Sequence, residues 1–202
     1  MKILMTGFDA FGGETINPAL EAVQAVRAPA GVELIRLEVP TVFGKSVQVV
    51  TRTMEKEAPD VVLCIGQAGG RDAITPERVA INVMDCIAPD NIGQNPVDEP
   101  ICPEGENALF ATVPIKKMVT AIRQAGVNAK VSNTAGTFVC NQLLYGVLDW
   151  CARRSPATRA GFVHVPYLPN QVTGKPGMPS MPLADIVTGL EAVLVCLASE
   201  EN

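Results

Sequence analysis

A chain of 202 residues with 48% hydrophobic and 18% charged residues has the composition of an ordinary globular protein, and its length fits one domain better than two. Sixteen Lys and Arg against twenty-one Asp and Glu leave a formal net charge of −5, which argues against nucleic acid or a membrane surface as a partner, since both attract clustered positive charge. The apolar opening Met1–Thr6 runs straight into Gly7-Phe8-Asp9, too short for a secretory signal core. The longest apolar stretches, such as Ala192–Ala198, fall far below membrane-spanning length. The expectation is a soluble, cytoplasmic protein. Its six cysteines, at 64, 86, 102, 140, 151 and 196, form no Cys-x-x-Cys pair, and one histidine cannot complete the usual zinc spacings. A reducing compartment then leaves six free thiols, most of them buried as small hydrophobes.

Short β-rich runs alternate with helix-length periodic segments, the pattern of a layered α/β domain. Lys2–Thr6 predicts a first strand, followed by the glycine-rich loop Gly7–Gly13. Asn17 before Pro18 reads as a helix N-cap with proline at the first helical position. Val32–Val39 is a second strand, closed by Pro40. Gly44–Glu57 is a helix with Val47, Val50, Thr51 and Met54 on one face. Asp60–Ile65 is a buried strand ending in Gly66-Gln67-Ala68-Gly69-Gly70, and Val79–Met84 is a further strand. From Asp85 to Asn107 the chain is rich in Pro, Gly, Asn and Asp; a long irregular segment in a compact domain points to a functional loop or an interface arm.

Pro114–Gln124 predicts a helix with Gly126 just past its C-terminus. Ala129–Ser132 is a short strand, and Asn141–Arg153 a helix with Leu144, Val147, Leu148 and Cys151 facing inward. Gly161–Val165 is a strand stopped by Pro166, and a second proline-rich loop runs from Pro166 to Pro182. The amphipathic helix Leu183–Ala198 closes the chain.

Two residues carry the chemistry. A lone histidine is more often a satisfied core residue than a catalyst. His164, however, lies near the end of a predicted strand and before a long loop, where α/β folds build their sites. Cys140 sits at the predicted start of the Asn141–Arg153 helix, and the unpaired N–H groups there favour an anion. A thiol so placed has its pKa lowered. Cys64 falls in a buried strand, Cys151 and Cys196 on apolar helix faces, and Cys86 and Cys102 in the long loop. A Cys–His pair needs a third group to hold the imidazole tautomer, and Glu77, Asp85 and Asp9 all remain candidates on residue type and placement alone.

Long segments then resemble a known family. They are Thr6–Glu14 with Asn17-Pro18, Gly66–Arg71, Ile74–Asn82, Ser132–Asn141 and Phe162–Tyr167, and together they resemble the pyroglutamyl peptidases across almost the whole chain. The resemblance implies a single catalytic domain over residues 1–202, built as a three-layer α/β/α sandwich around a central mixed sheet of the phosphorylase/hydrolase-like kind. It implies a cytosolic homotetramer acting on peptides with N-terminal pyroglutamate, without metal or cofactor. It places a Glu–Cys–His triad on Glu77, Cys140 and His164. Phe8, Phe11 and Phe138 would sandwich the lactam ring, while Asn17 and Gln67 meet its polar edge. Helix-start N–H groups at Cys140 and those of Gly66–Gly69 would hold the oxyanion.

One departure stands out. Where the family commonly reads Asp-Ala-Arg-Ile-Pro-Asp-Asn, this chain has Asp85-Cys86-Ile87-Ala88-Pro89-Asp90-Asn91. The change bears on the efficiency of the site or on the shape of one pocket wall, and leaves the triad untouched. Two other readings compete. Gly66–Arg71 after a strand would suit a phosphate, as in nucleoside phosphorylases, although no phosphate-loop pattern accompanies it. A non-enzymatic ligand-binding module is the third reading.

Overall fold

Strand β1 (Lys2–Phe8) is buried from Ile3 to Phe8, β3 (Val61–Gln67) throughout, and β7 (Arg159–Val165) from Ala160 to Val165. Continuous burial of this kind belongs to strands covered on both faces. The computed structural model, which describes residues 1–199, aligns these three in parallel, with β2 (Glu33–Val39) outside β1. A short strand, β4 (Thr75–Pro76), pairs antiparallel with β7. The sheet order is β2-β1-β3-β7-β4, so the sheet is mixed, as the resemblance implied.

Alternation along each strand sends side chains to two helical layers. Ile3, Met5, Leu63, Ile65 and Val163 meet α1 (Pro18–Ala25), α3 (Ile115–Gln124) and α5 (Leu183–Ala198) in one core. Leu4, Val62, Cys64 and Phe162 meet α2 (Lys45–Glu57) and α4 (Val139–Arg154) in the other. This is the three-layer α/β/α arrangement. Asn17 caps α1 by accepting the Ala19 N–H, with Pro18 at the helix start. Gly126, at φ 83°, turns the chain past α3.

Three local expectations change. The strand predicted over Val79–Met84 is regular only at β5 (Val79–Ile81). The Val83 N–H turns back to the Ile81 carbonyl, and the Asn82 side chain brackets Cys102, donating to its carbonyl and accepting its N–H. The partner of β5 is β6 (Ala108–Phe110), antiparallel in a separate two-stranded sheet that the sequence reading did not name. Ala129–Ser132 is not a regular strand; its ends bridge Ile74 and Glu77 in parallel.

The long segment after Asp85 is pinned rather than loose. Buried Asp90 accepts the N–H groups of Phe43, Ile92 and Gln94, and Asn91 donates to Asp9 and Ala10. Because β1, β3 and β7 run parallel, their carboxyl ends and the loops that follow all meet at one edge, where such folds bind ligands.

Candidate active site

His164 is the penultimate residue of β7, in register with Gly66 on β3 and Thr75 on β4. It is 3% exposed, and its ring lies 4.7 Å from that of Phe162, which packs in the α4-side core. Its Nδ1 lies 2.7 Å from Glu77 Oε1.

Glu77 follows β4 directly and is clamped by its backbone. Its N–H donates to the Phe162 carbonyl, while Ser132 brackets it, accepting the Arg78 N–H and donating its own N–H to the Pro76 carbonyl. The side chain is fully buried. The same Oε1 accepts from Arg71 Nη1 at 2.6 Å, and Arg71 also reaches the Thr75 hydroxyl and the Thr134 carbonyl. Arg71 carries no assigned role in the sequence reading. The signal available was its place at the end of the Gly66–Arg71 segment, a lone cation beside a strand end.

Asp9 and Asp85 fall away as partners of the histidine. Asp9 accepts the Thr41 N–H and the Asn91 amide, and Asp85 lines a cavity wall.

The charges divide consistently. Burial pushes the Glu77 carboxyl up, but His164, Ser132 and Arg71 outweigh it and hold the group below the usual carboxylate range. Burial drives the His164 pKa down further than Glu77 raises it, with the Arg71 charge acting in the same downward direction. The resting pair is therefore a carboxylate, anchored by a guanidinium, and a neutral imidazole. An ionised carboxylate can only accept, so the ring proton sits on Nδ1 and Nε2 keeps its lone pair.

Cys140 is the second residue of α4. Asn141 locks this helix start, donating to the Ile81 and Val83 carbonyls and accepting the Ile81 N–H. The first helical bond is Gln142 N–H to Phe138 O, so the N–H groups of Val139, Cys140 and Asn141 lie ahead of it. The Cys140 Sγ sits against Gly66: a Cβ built there would lie 3.1 Å from the sulfur and 2.7 Å from Phe162 Cζ. Gly66 and His164 are register partners, so thiol and imidazole gather on the same face of the sheet.

The thiol differs from its expectation. Although partly exposed, it is pushed up to about 12 by burial and then by the Glu77 carboxylate, against the weaker downward pull of Arg71 and its own backbone N–H. The helix start does not outweigh desolvation, and the resting sulfur is a thiol.

The proposed substrate residues separate into distinct settings. Phe8 is 2% exposed and packs in the core, its ring 6.3 Å from that of Phe162. Phe11 and Phe138, 6.1 Å apart, line a cavity of about 410 Å³ with Thr137, Ile87, Ala88 and Pro89. The Asn17 amide is occupied at both ends, capping α1 and donating to the Asp9 carbonyl. Gln67 ends β3 beside Gly66, 8% exposed, with Oε1 accepting from Gln171.

The phosphate reading loses two of its donors. The Ala68 N–H is taken by the Val165 carbonyl, and Arg71 is committed to Glu77, Thr75 and Thr134. Among the described residues, no group of three or more His, Cys, Asp or Glu side chains is placed to hold a metal ion, and no helix is long and apolar enough to cross a membrane.

Comparison with known proteins agrees in sequence and in fold. A family model described as pyroglutamyl peptidase matches residues 1–200. The pyrrolidone-carboxylate peptidase of Lactobacillus johnsonii is 54% identical over 203 aligned positions, covering 100% of this chain and 94% of its own. That of Streptococcus suis is 54% identical, covering 96% and 91%. The crystal structure of pyroglutamyl peptidase I from Bacillus amyloliquefaciens superposes with a TM-score of 0.96 at 45% identity, covering 100% of this chain and 96% of that one. A mutant pyrrolidone carboxyl peptidase from Pyrococcus furiosus gives 0.94 at 36% identity, covering 99% of each. With the family model spanning nearly the whole chain and relatives more than half identical along it, this chain belongs to the pyroglutamyl peptidase family.

Proposed function

We infer that Cys140, His164 and Glu77 carry out, in one catalytic domain, the reaction of this family: hydrolysis of the bond after an N-terminal pyroglutamyl residue of a peptide. The chain is a pyroglutamyl peptidase I. The observation that carries the residue assignment is the Arg71–Glu77–His164 chain converging on Gly66, where the Cys140 sulfur also lies.

The resting thiol and neutral imidazole define the first step. The Cys140 Sγ attacks the pyroglutamyl carbonyl carbon as its proton passes to His164 Nε2. General-base assistance of this kind contributes roughly 10²–10⁴-fold. Glu77 accepts from Nδ1–H and stabilises the imidazolium that forms, and Arg71 holds Glu77 in place. The tetrahedral intermediate collapses as Nε2 protonates the leaving amine, leaving a pyroglutamyl thioester on Cys140. Water then attacks the thioester, its proton passing to Nε2 and on to the departing sulfur. The N–H groups ahead of the first bond of α4, with that of Gly69, suit the oxyanion; the Ala68 N–H is already bonded to Val165. Phe11 and Phe138 form the apolar wall for the lactam and Gln67 a polar contact.

The protein is further proposed to be cytoplasmic and homotetrameric. Six cysteines outside any disulfide suit a reducing compartment, and exposed Ile92, Val97 and Phe110 supply apolar surface for contact between copies. Sedimentation of the tetramer would give four times the 21.4 kDa of the chain.

The decisive assay is release of a fluorophore from a pyroglutamyl amide under reducing conditions. Wild type releases it and Cys140→Ser, with an unchanged circular dichroism spectrum, does not. Near wild-type turnover by Cys140→Ser would remove the nucleophile assignment.

A further inference from the structure

Gln171 lies in the single 3-10 turn Pro169–Val172 of the second proline-rich loop and is 6% exposed. Its amide meets groups whose hydrogen-bonding polarity is fixed. The Leu168 backbone N–H can only donate, and it donates to Gln171 Oε1 at 2.9 Å. The Ile16 carbonyl and the Glu14 carboxylate can only accept, and they lie 3.5 Å and 3.4 Å from Gln171 Nε2. Glu14 is kept ionised by Lys175, whose ammonium in turn sits over the Tyr167 ring. The orientation of the Gln171 amide is thus determined from both ends.

That orientation propagates. Gln171 Nε2 also donates to Gln67 Oε1 at 2.9 Å, which leaves Gln67 to present its NH₂. Gln67 adjoins Gly66, against which the Cys140 sulfur rests. We propose that Gln171 is a positioning residue that locks Gln67 as a hydrogen-bond donor, so that the site selects the lactam carbonyl oxygen of its substrate. The assignment rests on Gln67 being a substrate contact, as proposed above. It defines the recognised chemistry as a small neutral ring bearing an acceptor; a ring that offers only N–H at that position finds a donor facing a donor.

The test is Gln171→Glu. The new carboxylate still accepts the Leu168 N–H, but its second oxygen is an acceptor toward Gln67, which must turn its NH₂ away from the site to pair with it. Expected is a rise in KM for the pyroglutamyl amide of about 10–100-fold, as when a buried polar group loses its partner. The Ki of free 2-pyrrolidinone should rise in parallel, with kcat within about threefold and an unchanged pH profile. A wild-type KM and Ki would overturn the proposal, as would a loss confined to kcat with a shifted pH profile, which would place Gln171 in the triad's support instead. If Gln171→Glu does not fold, Gln171→Met, which keeps the volume and removes both polar ends, decides: weakened 2-pyrrolidinone inhibition supports the lock, and unchanged inhibition overturns it. Failure of the wild type to hydrolyse pyroglutamyl amides would instead strike the functional reading, so the two failures are distinct.

Discussion

Arg71 and His164 share one oxygen of Glu77: Oε1 lies 2.6 Å from Nη1 and 2.7 Å from Nδ1. The two partners act on the imidazole in opposite directions, Glu77 raising its proton affinity and Arg71 lowering it. A general base must be neutral to act, so His164 should set the acid limb of kcat/KM, and a pH–rate profile should place that limb below the ordinary histidine value of 6.5.

Removing either charge should move that limb in a known direction. Arg71→Met deletes a charge that depresses His164, so the limb moves to higher pH. Glu77→Gln deletes the group that raises it, so the limb moves to lower pH. Loss of the orienting carboxylate should also cost roughly 10²–10⁴-fold in kcat. A pH–rate series on the two variants checks both signs; movement in the same direction would contradict the shared-oxygen account.

Gly66→Ala should damage the enzyme at the thiol. The added methyl would stand 2.7 Å from Phe162 Cζ and 3.1 Å from Cys140 Sγ, so ring and sulfur must both give way. A stability loss of about 1–3 kcal/mol is expected from overpacking, together with a fall in kcat that exceeds the change in KM. Denaturant melts and steady-state kinetics on one preparation measure both.

Alkylation should follow the resting thiol rather than a preformed thiolate. Burial and Glu77 push Cys140 up to about 12, so inactivation by iodoacetamide without substrate should be slow near neutrality and still accelerating above pH 9. A rate already level at pH 7 would mean that the helix start wins over desolvation.

Stability should decline on both sides of neutrality. The His164 pKa is lower in the fold than its ordinary 6.5. As pH falls through 6.5 the unfolded chain therefore binds the proton that the folded one refuses, and stability drops. Below 4.5 the depressed Glu77 adds its share in the same direction. Cys140, raised from 9.0, acts at the other end, because above 9.0 the unfolded chain loses its thiol proton first and stability again falls. Calorimetric Tm values between pH 5 and 10 should peak between 6.5 and 9; a Tm that climbs on acidification from 7 to 5.5 would contradict this.

The α/β class, the core strands beginning at Lys2 and Asp60, the Asn17 cap and the Leu183–Ala198 helix were legible in the sequence. Local rules decide them: apolar runs of strand length, a capping side chain before proline, and a period of 3.6 residues. His164 and Cys140 were legible for the same reason, since a strand end and a helix start are local features. The partner of the histidine was not. Glu77, Asp9 and Asp85 are equivalent on local criteria, and only the antiparallel addition of β4 to β7 brings Glu77, distant in sequence, to the imidazole.

What the sequence alone determined, then, is which side chains are capable of chemistry and where along each element they fall, because propensity and capping act over a few residues. Tertiary structure decided their charge states and orientations. The Cys140 thiol expected low is pushed high by burial and by the Glu77 carboxylate. Arg71 gains its purpose only when the loop after β3 folds back on Glu77. The donor face of Gln67 is set by a glutamine 104 residues away. Desolvation and hydrogen-bond polarity depend on all the groups packed around an atom, and those groups come from segments that only the fold brings together.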